Sequence, residues 1–240
     1  MLETVRENLV FVLEFGLVII GMFAVAIVFE RIAAKRKGVA DGVSKTRKMA
    51  VTGMFSGIAA ILMLAEFPLF FAPPFYKLDF SELPILIGAF AFGPVAGVTM
   101  EFIKILLNLI LTGTTTAFVG ELANFVVGCS FILPASVIYN FCKTKKGAIV
   151  ACISGTLILT VFGTAFNAIY LVPTFAKLFG MPLESIIEMG AKVNPLVKEG
   201  DIISFVAACV GPMNLIKGGA SSIVTLLIYK SLSPIIKHQR

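Results

Sequence analysis

The chain has 240 residues, of which 58% are hydrophobic and 14% are charged, and its formal net charge is +6. A soluble domain of this size would normally carry about 25% charged residues. A water-soluble core cannot bury so much apolar surface, which excludes an ordinary soluble protein. The apolar runs are long and continuous rather than alternating, so they favour membrane-spanning helices over a β-barrel.

A helix needs about 20 residues to cross a hydrocarbon core about 30 Å thick. The third and fourth apolar segments are short, and they meet at 92–97, where Gly93 and Pro94 favour a tight turn or a broken helix. The stretch 182–189 predicts one short amphipathic helix, either on the membrane surface or over the end of a cavity. The seven predicted membrane segments are 9–29, 49–71, 83–97, 98–112, 118–141, 147–172 and 203–229.

These segments predict an all-α integral membrane protein in which a six-helix bundle is preceded by one extra N-terminal transmembrane helix. Residues 1–47 contain the extra helix and a basic cytoplasmic linker. Residues 48–230 are expected to form the six-helix membrane domain, and residues 231–240 a short cytoplasmic tail.

Basic residues cluster beside the ends of the segments. The linkers 30–48 and 142–146, together with the chain from Lys230 onward, contain 13 of the 20 Lys and Arg residues. By the positive-inside rule, these regions are cytoplasmic, which places the N-terminus outside the cell membrane and the C-terminus inside. The same clustering argues against nucleic acid as a partner.

Polar side chains recur inside the last three predicted helices. Unpaired amide and ammonium groups in lipid cost several kcal/mol, so these side chains should face a shared interior. Two of the pairs are spaced i, i+3, which places each pair on one helical face. The alternative is hydrogen bonding between helices that only holds the bundle together. The residues are Glu121 and Asn124, Asn167 and Tyr170, and Asn214 and Lys217.

Two carboxylates, Asp79 and Glu82, lie in a short linker between membrane segments. Charged groups in such places mark a ligand or ion path by default. The alternative is helix capping, with Asp79 or Ser81 as the N-cap and Glu82 in the first turn. The preceding stretch 68–76 is rich in proline and aromatic residues, which predicts a stiff apolar loop able to close over a flat ligand.

Catalytic signatures are missing from the sequence. It has no Walker motif and no HExxH, its single histidine is His238, and its four cysteines form no CxxC pair. We therefore expect no enzymatic activity, no metal and no cofactor. Glu101 and Lys104 are three residues apart and are expected to pair with each other rather than form a proton path.

Three motifs, Lys77–Pro84, Ile87–Gly97 and Pro212–Gly218, resemble those of the riboflavin-specific substrate-binding (S) component of energy-coupling factor (ECF) vitamin transporters. The resemblance covers about residues 48–230 and leaves out the first helix. It implies a six-helix S-component bundle that binds riboflavin outside the cell, in a pocket formed by the loop after the first core helix and by the last three helices.

The resemblance also implies roles for particular residues. Gly53 and Gly57 form a small-residue face that docks on a transmembrane coupling subunit, which works with two cytoplasmic ATPase subunits. Riboflavin is then the transported ligand, and membrane lipid surrounds the bundle. The implied ligand-binding and gating residues are Leu78, Asp79, Phe80, Asn124, Asn167, Tyr170, Asn214 and Lys217.

Other functions stay open at this point. An S component for another vitamin, such as thiamine or biotin, would share the fold and differ only in its pocket. A self-sufficient secondary transporter of a small metabolite would need an ion-coupling site and would transport without ATPases. A membrane-embedded enzyme is disfavoured by the missing catalytic histidine and metal ligands.

Overall fold

The computed structural model of the chain describes residues 2–37 and 44–237. Segment 38–43 of the predicted basic linker and the C-terminal His238 and Arg240 lie outside the described residues. The helices are α1 (Leu2–Lys37), α2 (Lys45–Leu64), α3 (Glu82–Phe92), α4 (Pro94–Thr112), α5 (Val119–Phe141), α6 (Lys145–Phe166), α7 (Val172–Leu178), α8 (Leu183–Ala191), α9 (Ile202–Phe205) and α10 (Gly211–Lys237).

Two π-helical turns connect consecutive helices. Asn167–Leu171 joins α6 to α7, and Val206–Val210 joins α9 to α10. The only strands in the described residues are β1 (Phe67–Pro68) and β2 (Lys77–Leu78), which pair antiparallel with Phe67 opposite Leu78. These strands hold together the two ends of the loop 69–76.

Six helices in the described part of the chain are long and apolar enough to cross a membrane, and α3 is a shorter apolar helix of 11 residues. Counted from α2, the bundle has the six predicted members, and α1 is the extra helix that precedes them. The predicted all-α membrane fold is therefore confirmed.

Two predicted boundaries are wrong. The third and fourth segments separate at Gly93 rather than after Gly97, so 94–97 belong to α4. Gly93 has a φ of +94°, a backbone angle that residues other than glycine rarely adopt. Pro94 fits the first helical position because that position needs no N–H donor. The second segment ends at Leu64 instead of residue 71, because the chain then turns into β1.

Helix α1 packs against the bundle and is tied to it by a carboxylate. Glu30 Oε2 accepts a hydrogen bond from the Val95 backbone N–H at 3.0 Å, and Glu30 Oε1 lies 3.4 Å from Lys48 Nζ. Val95 is in the first turn of α4, where N–H groups have no partner within their own helix. Glu30 thus caps α4 from another helix and fixes α1 beside the break at Gly93.

Helix α3 lies at the centre of the bundle, in contact with α2, α4, α5 and α10. Ten of its 11 residues are buried, which explains why this helix is apolar on nearly all sides although it is too short to span the membrane alone. Its first residue, Glu82, therefore brings a carboxylate into the interior.

Helix α8 is amphipathic, as predicted: Ile186 and Ile187 are buried, while Glu184 and Glu188 are exposed. The buried face belongs to a hydrophobic cluster that also contains Ala72 and Tyr76 of the loop 69–76 and Phe205 of α9. The long linker between α7 and α9 therefore packs against the loop 69–76 and the beginning of the last long helix.

Candidate functional site

Five charged side chains form a buried ion cluster inside the bundle: Asp79, Glu82, Glu101, Lys104 and Lys217. Lys217 Nζ lies 2.9 Å from Asp79 Oδ2 and 2.9 Å from Glu82 Oε2. Lys104 Nζ lies 3.1 Å from Glu82 Oε1 and 2.6 Å from Glu101 Oε2. Glu82 thus connects the two lysines, and the predicted pairing of Glu101 with Lys104 is confirmed.

Three helices and the segment after β2 supply the cluster. Asp79 follows β2, and Glu82 is in the first turn of α3. Glu101 and Lys104 are one turn apart on α4, whereas Lys217 extends from α10. Breaking a buried ion pair by removing one partner costs about 3–5 kcal/mol, so the cluster fixes the relative positions of these elements.

Asp79 has both of the roles considered from the sequence. Its Oδ1 accepts the Ser81 backbone N–H at 2.8 Å, which supports the turn leading into α3, and its Oδ2 faces Lys217. Burial raises the pKa of the Asp79 carboxyl, but the Lys217 and Lys104 ammonium groups and the Ser81 hydrogen bonds outweigh burial and lower the pKa to about 2. Its contribution to stability is complete above the ordinary value of 3.8 and is lost only as the pH falls through about 2.

Exposure distinguishes the members of the cluster. The side chains of Glu101 and Lys104 are 0% and 1% exposed, whereas that of Lys217 is 12% exposed. Lys217 is therefore the cation that a ligand can reach, and its charge is already compensated by two carboxylates. Such an arrangement suits a ligand that needs a hydrogen-bond donor but carries no strong negative charge.

Two asparagines lie in the interior between α6 and α10. Asn167 Oδ1 accepts a hydrogen bond from the Tyr76 hydroxyl at 2.8 Å, and Asn167 Nδ2 donates to the Gly163 carbonyl at 2.8 Å. Asn214 is 3% exposed, and its Nδ2 has no hydrogen-bond partner among the described residues. An added Cβ at Gly163 would lie 2.6 Å from Asn214 Nδ2, so glycine leaves the room that this amide occupies.

The side chains of Asn124 and Tyr170 have different surroundings from those of Asn167 and Asn214. The Asn124 side chain is exposed, and Tyr170 stacks on Phe166 with 5.2 Å between ring centroids. The expectation that Asn167 and Tyr170 share one face assumed a regular α-helix. A π-helical turn contains more residues than an α-helical turn, so the i, i+3 spacing no longer aligns the two side chains. Glu121 accepts a hydrogen bond from the Thr116 hydroxyl at 3.2 Å and is also apart from the cluster.

Sequence reasoning misses two buried polar side chains that hold the loop 69–76. Its composition identifies Tyr76 only as part of an apolar loop, and nothing in the long linker singles out Asn194. Asn194 Nδ2 donates to the carbonyls of Phe71 and Ala208 at 3.2 and 3.1 Å. A buried asparagine in a linker has the same sequence signature as an exposed one, so only the fold identifies it.

A groove of about 400 Å³ lies between α1, α5 and α6, and no member of the ion cluster lines it. Met22, Phe29, Leu133, Pro134, Ile158 and Phe162 are among the side chains that line it. No charged group of the described residues lines this groove, so it lacks the chemistry to orient a polar ligand.

Gly53 and Gly57 lie on the surface of α2. Added Cβ atoms at both positions would meet no atom within 4 Å, and Gly53 is exposed. The two glycines therefore leave a flat strip on which another helix is able to approach the α2 backbone closely.

Comparison with known proteins identifies relatives over most of the chain. The family model for the ECF transporter, substrate-specific component, matches residues 47–229. Riboflavin transporter FmnP of Bacillus subtilis (strain 168) is 32% identical over 197 residues, which are 82% of this chain and 97% of that protein. Riboflavin transporter RibU of Staphylococcus aureus (strain TCH60) is 32% identical over 193 residues, which are 80% of this chain and 94% of that protein.

A solved structure also resembles the chain. It is described as the S component of a bacterial ECF transporter, and it aligns with a TM-score of 0.62 and 33% sequence identity over 81% of this chain and 99% of that one. The relatives are transporters rather than enzymes, in agreement with the expectation from the sequence. This multi-pass membrane protein therefore belongs to the family of substrate-specific components of ECF transporters.

Proposed function

We propose that the chain is the riboflavin-binding S component of an ECF-type vitamin uptake transporter. The observation that carries the proposal is that the charge-compensated Lys217 lies one turn along α10 from Asn214, whose buried Nδ2 has no hydrogen-bond partner among the described residues. The relatives named as riboflavin transporters, each about one-third identical over most of the chain, support the choice of ligand.

The chemistry of riboflavin fits these groups. The molecule has a flat apolar ring, an edge of carbonyls and ring nitrogens, and a chain of hydroxyls. The Asn214 amide and the Lys217 ammonium donate hydrogen bonds to acceptors on that edge, and apolar side chains of the bundle and of the loop 69–76 cover the ring. Riboflavin is uncharged, and a site in which Asp79 and Glu82 compensate the charge of Lys217 favours an uncharged ligand.

We assign the ligand site to Asn167, Asn214 and Lys217 on the helices, with Asp79 holding Lys217 in place. Leu78 and Phe80 belong to the segment that closes the site: Leu78 is buried, and Phe80 packs against Phe67 with 6.0 Å between ring centroids. Asn124 and Tyr170 are left out of this assignment, because their side chains have different surroundings.

The test is the visible absorption spectrum of the protein purified in detergent from cells supplied with riboflavin. We expect a flavin band in the purified protein, and quenching of riboflavin fluorescence when the ligand-free protein is titrated. Thiamine and biotin serve as competitors, because S components for these vitamins are the main alternative. A colourless protein that leaves riboflavin fluorescence unchanged would contradict the proposal, and competition by either other vitamin would redirect it.

We further propose that a transmembrane coupling subunit and two ATPase subunits act with this chain, which has its N-terminus outside and its C-terminus in the cytoplasm. The strip at Gly53 and Gly57 is the proposed docking surface for the coupling subunit. Family membership supports these partners, and the distribution of basic residues supports the orientation. The alternative of a self-sufficient transporter predicts ion-driven uptake by this chain alone in liposomes.

Gly53→Leu combined with Gly57→Leu is expected to abolish riboflavin uptake while leaving riboflavin affinity unchanged. Leucine side chains at both positions would hold another helix away from the α2 backbone, and they begin in open space, since a Cβ added at either glycine meets no other part of the described chain within 4 Å. Uptake is measured in cells with the complete transporter, and affinity with the purified chain. Gly21→Leu, at an exposed glycine of α1 with equally open surroundings, is the matched control. Normal uptake by the double variant would place the docking surface elsewhere.

A further inference from the structure

The Asn194 side chain joins three segments that are distant in sequence. It lies in the turn after α8 and is 6% exposed. Its Nδ2 donates to the Phe71 carbonyl in the loop 69–76 and to the Ala208 carbonyl in the π-helical turn before α10. Its Oδ1 accepts the Leu196 backbone N–H at 3.1 Å, which keeps the amide oriented.

The π-helical turn 206–210 helps to explain how the Ala208 carbonyl reaches the Asn194 side chain. Residues 206–210 bond in an i→i+5 pattern, and such turns alter the direction of the carbonyls relative to a regular helix. Ala208 directs its carbonyl to the Asn194 amide, so the beginning of the last long helix is bonded to the linker through a side chain. The same amide then holds Phe71, which connects this helix to the loop.

The loop 69–76 has a second attachment at its other end. The Tyr76 hydroxyl donates to Asn167 Oδ1, and the Tyr76 ring lies 6.1 Å from the Phe205 ring between centroids. The loop is therefore bonded at Phe71 by the linker and at Tyr76 by α6 and its π-helical continuation. The first attachment is made by a residue outside the proposed ligand site, whereas the second uses Asn167 itself.

We propose that Asn194 is the latch of the loop 69–76: a positioning residue that sets how fast the loop opens for the ligand without touching the ligand. This inference rests on the proposed function, in which the loop covers the site. Loop opening must break the hydrogen bond to Phe71 in both the ligand-free and the ligand-bound closed states. Weakening this bond therefore accelerates binding and release together, and the dissociation constant changes little.

Asn194→Asp is the most selective variant for the test. It keeps the oxygen that accepts the Leu196 N–H, removes both donations from Nδ2 and places a second oxygen against the two carbonyls, which opposes the same attachment. Stopped-flow quenching of riboflavin fluorescence is expected to show association and dissociation rates that each rise about tenfold, from the loss of these hydrogen bonds. The dissociation constant should stay within about threefold of the wild-type value, because the two rates change together.

Ser222→Ala is the matched control, because it removes buried hydrogen bonds between α6 and α10 without involving the loop. These are the bond between the Ser222 and Thr156 hydroxyls at 3.1 Å and the bond that Ser222 donates to the Cys152 carbonyl at 3.4 Å. This variant should lower thermal stability without changing the rates. Unchanged rates in Asn194→Asp would overturn the inference. So would weaker affinity caused by faster release alone, or the same rate changes in Ser222→Ala.

Hydrogen exchange of the purified full chain gives a readout that needs no ligand. The backbone N–H groups of Ala72 and Tyr76 donate within the loop, to Leu69 and Pro73. These amides should exchange faster in Asn194→Asp than in the wild type and in Ser222→Ala, and equal exchange would contradict the latch. A wild-type chain that binds no riboflavin would refute the proposed function, while the exchange comparison would still decide the inference.

Discussion

Lys217→Met is expected to weaken riboflavin binding at least about a hundredfold, measured by fluorescence quenching with the purified chain. Lys217 is the ammonium of the ion cluster with the greater exposure, 12% against 1% for Lys104. Methionine retains an unbranched side chain of similar length but donates no hydrogen bond. The variant therefore removes the donor from the proposed site and leaves Asp79 and Glu82 facing an apolar group.

The fold needs a separate control, because unpaired carboxylates destabilise the bundle. Lys217→Met combined with Glu82→Gln has the same formal charge in the cluster as the wild type, so we expect it to recover stability but not binding. Lys77→Met is a control outside the cluster, since Lys77 of β2 pairs with Glu66 and both side chains are exposed. Recovery of tight binding in the double variant would show that Lys217 serves the fold alone.

The membrane fold was predictable because hydrophobic length depends only on neighbours in sequence. The break between α3 and α4 was recognised from Gly93 and Pro94, but its position was wrong by about one helical turn. The stretch 92–97 contains two more small residues, Ala96 and Gly97, and only packing decides which of them turns the chain. Gly97 lies within α4 and faces α5, where a Cβ added to it would lie 2.7 Å from the Ile132 side chain.

The site was predictable only in part. Asp79 and Lys217 were recognised because charges beside or within apolar segments are rare, and the structure places them 2.9 Å apart. Asn167 and Tyr170 were grouped by a helical period that the π-helical turn interrupts. Nothing in a local pattern announces such a turn, nor the hydrogen bond between Tyr76 and Asn167 across 91 residues of sequence.

The ion cluster also explains why residues with no proposed contact to the ligand are costly to change. Glu101 lies against Gly128, where an added Cβ would be 2.7 Å from Glu101 Oε2. α5 therefore needs a glycine at this point to admit the carboxylate. Glu101 of α4 packs against Gly128 of α5 and belongs to the same ion cluster as Lys217 of α10. The packing at the centre of the bundle therefore determines the geometry of the pocket.

Lys104→Met is accordingly expected to destabilise the protein by about 3–5 kcal/mol, because it leaves Glu82 and Glu101 buried with one ammonium fewer. The effect is measured as a lower midpoint of thermal unfolding in detergent. Lys48→Met, which removes a partly exposed partner of Glu30, should cost less than about 1 kcal/mol. Combining Lys104→Met with Glu101→Gln restores the formal charge of the cluster and should recover most of the loss. A single variant as stable as the wild type would show that Lys104 does not compensate these carboxylates, and the cluster would then have to hold protons in place of an ammonium.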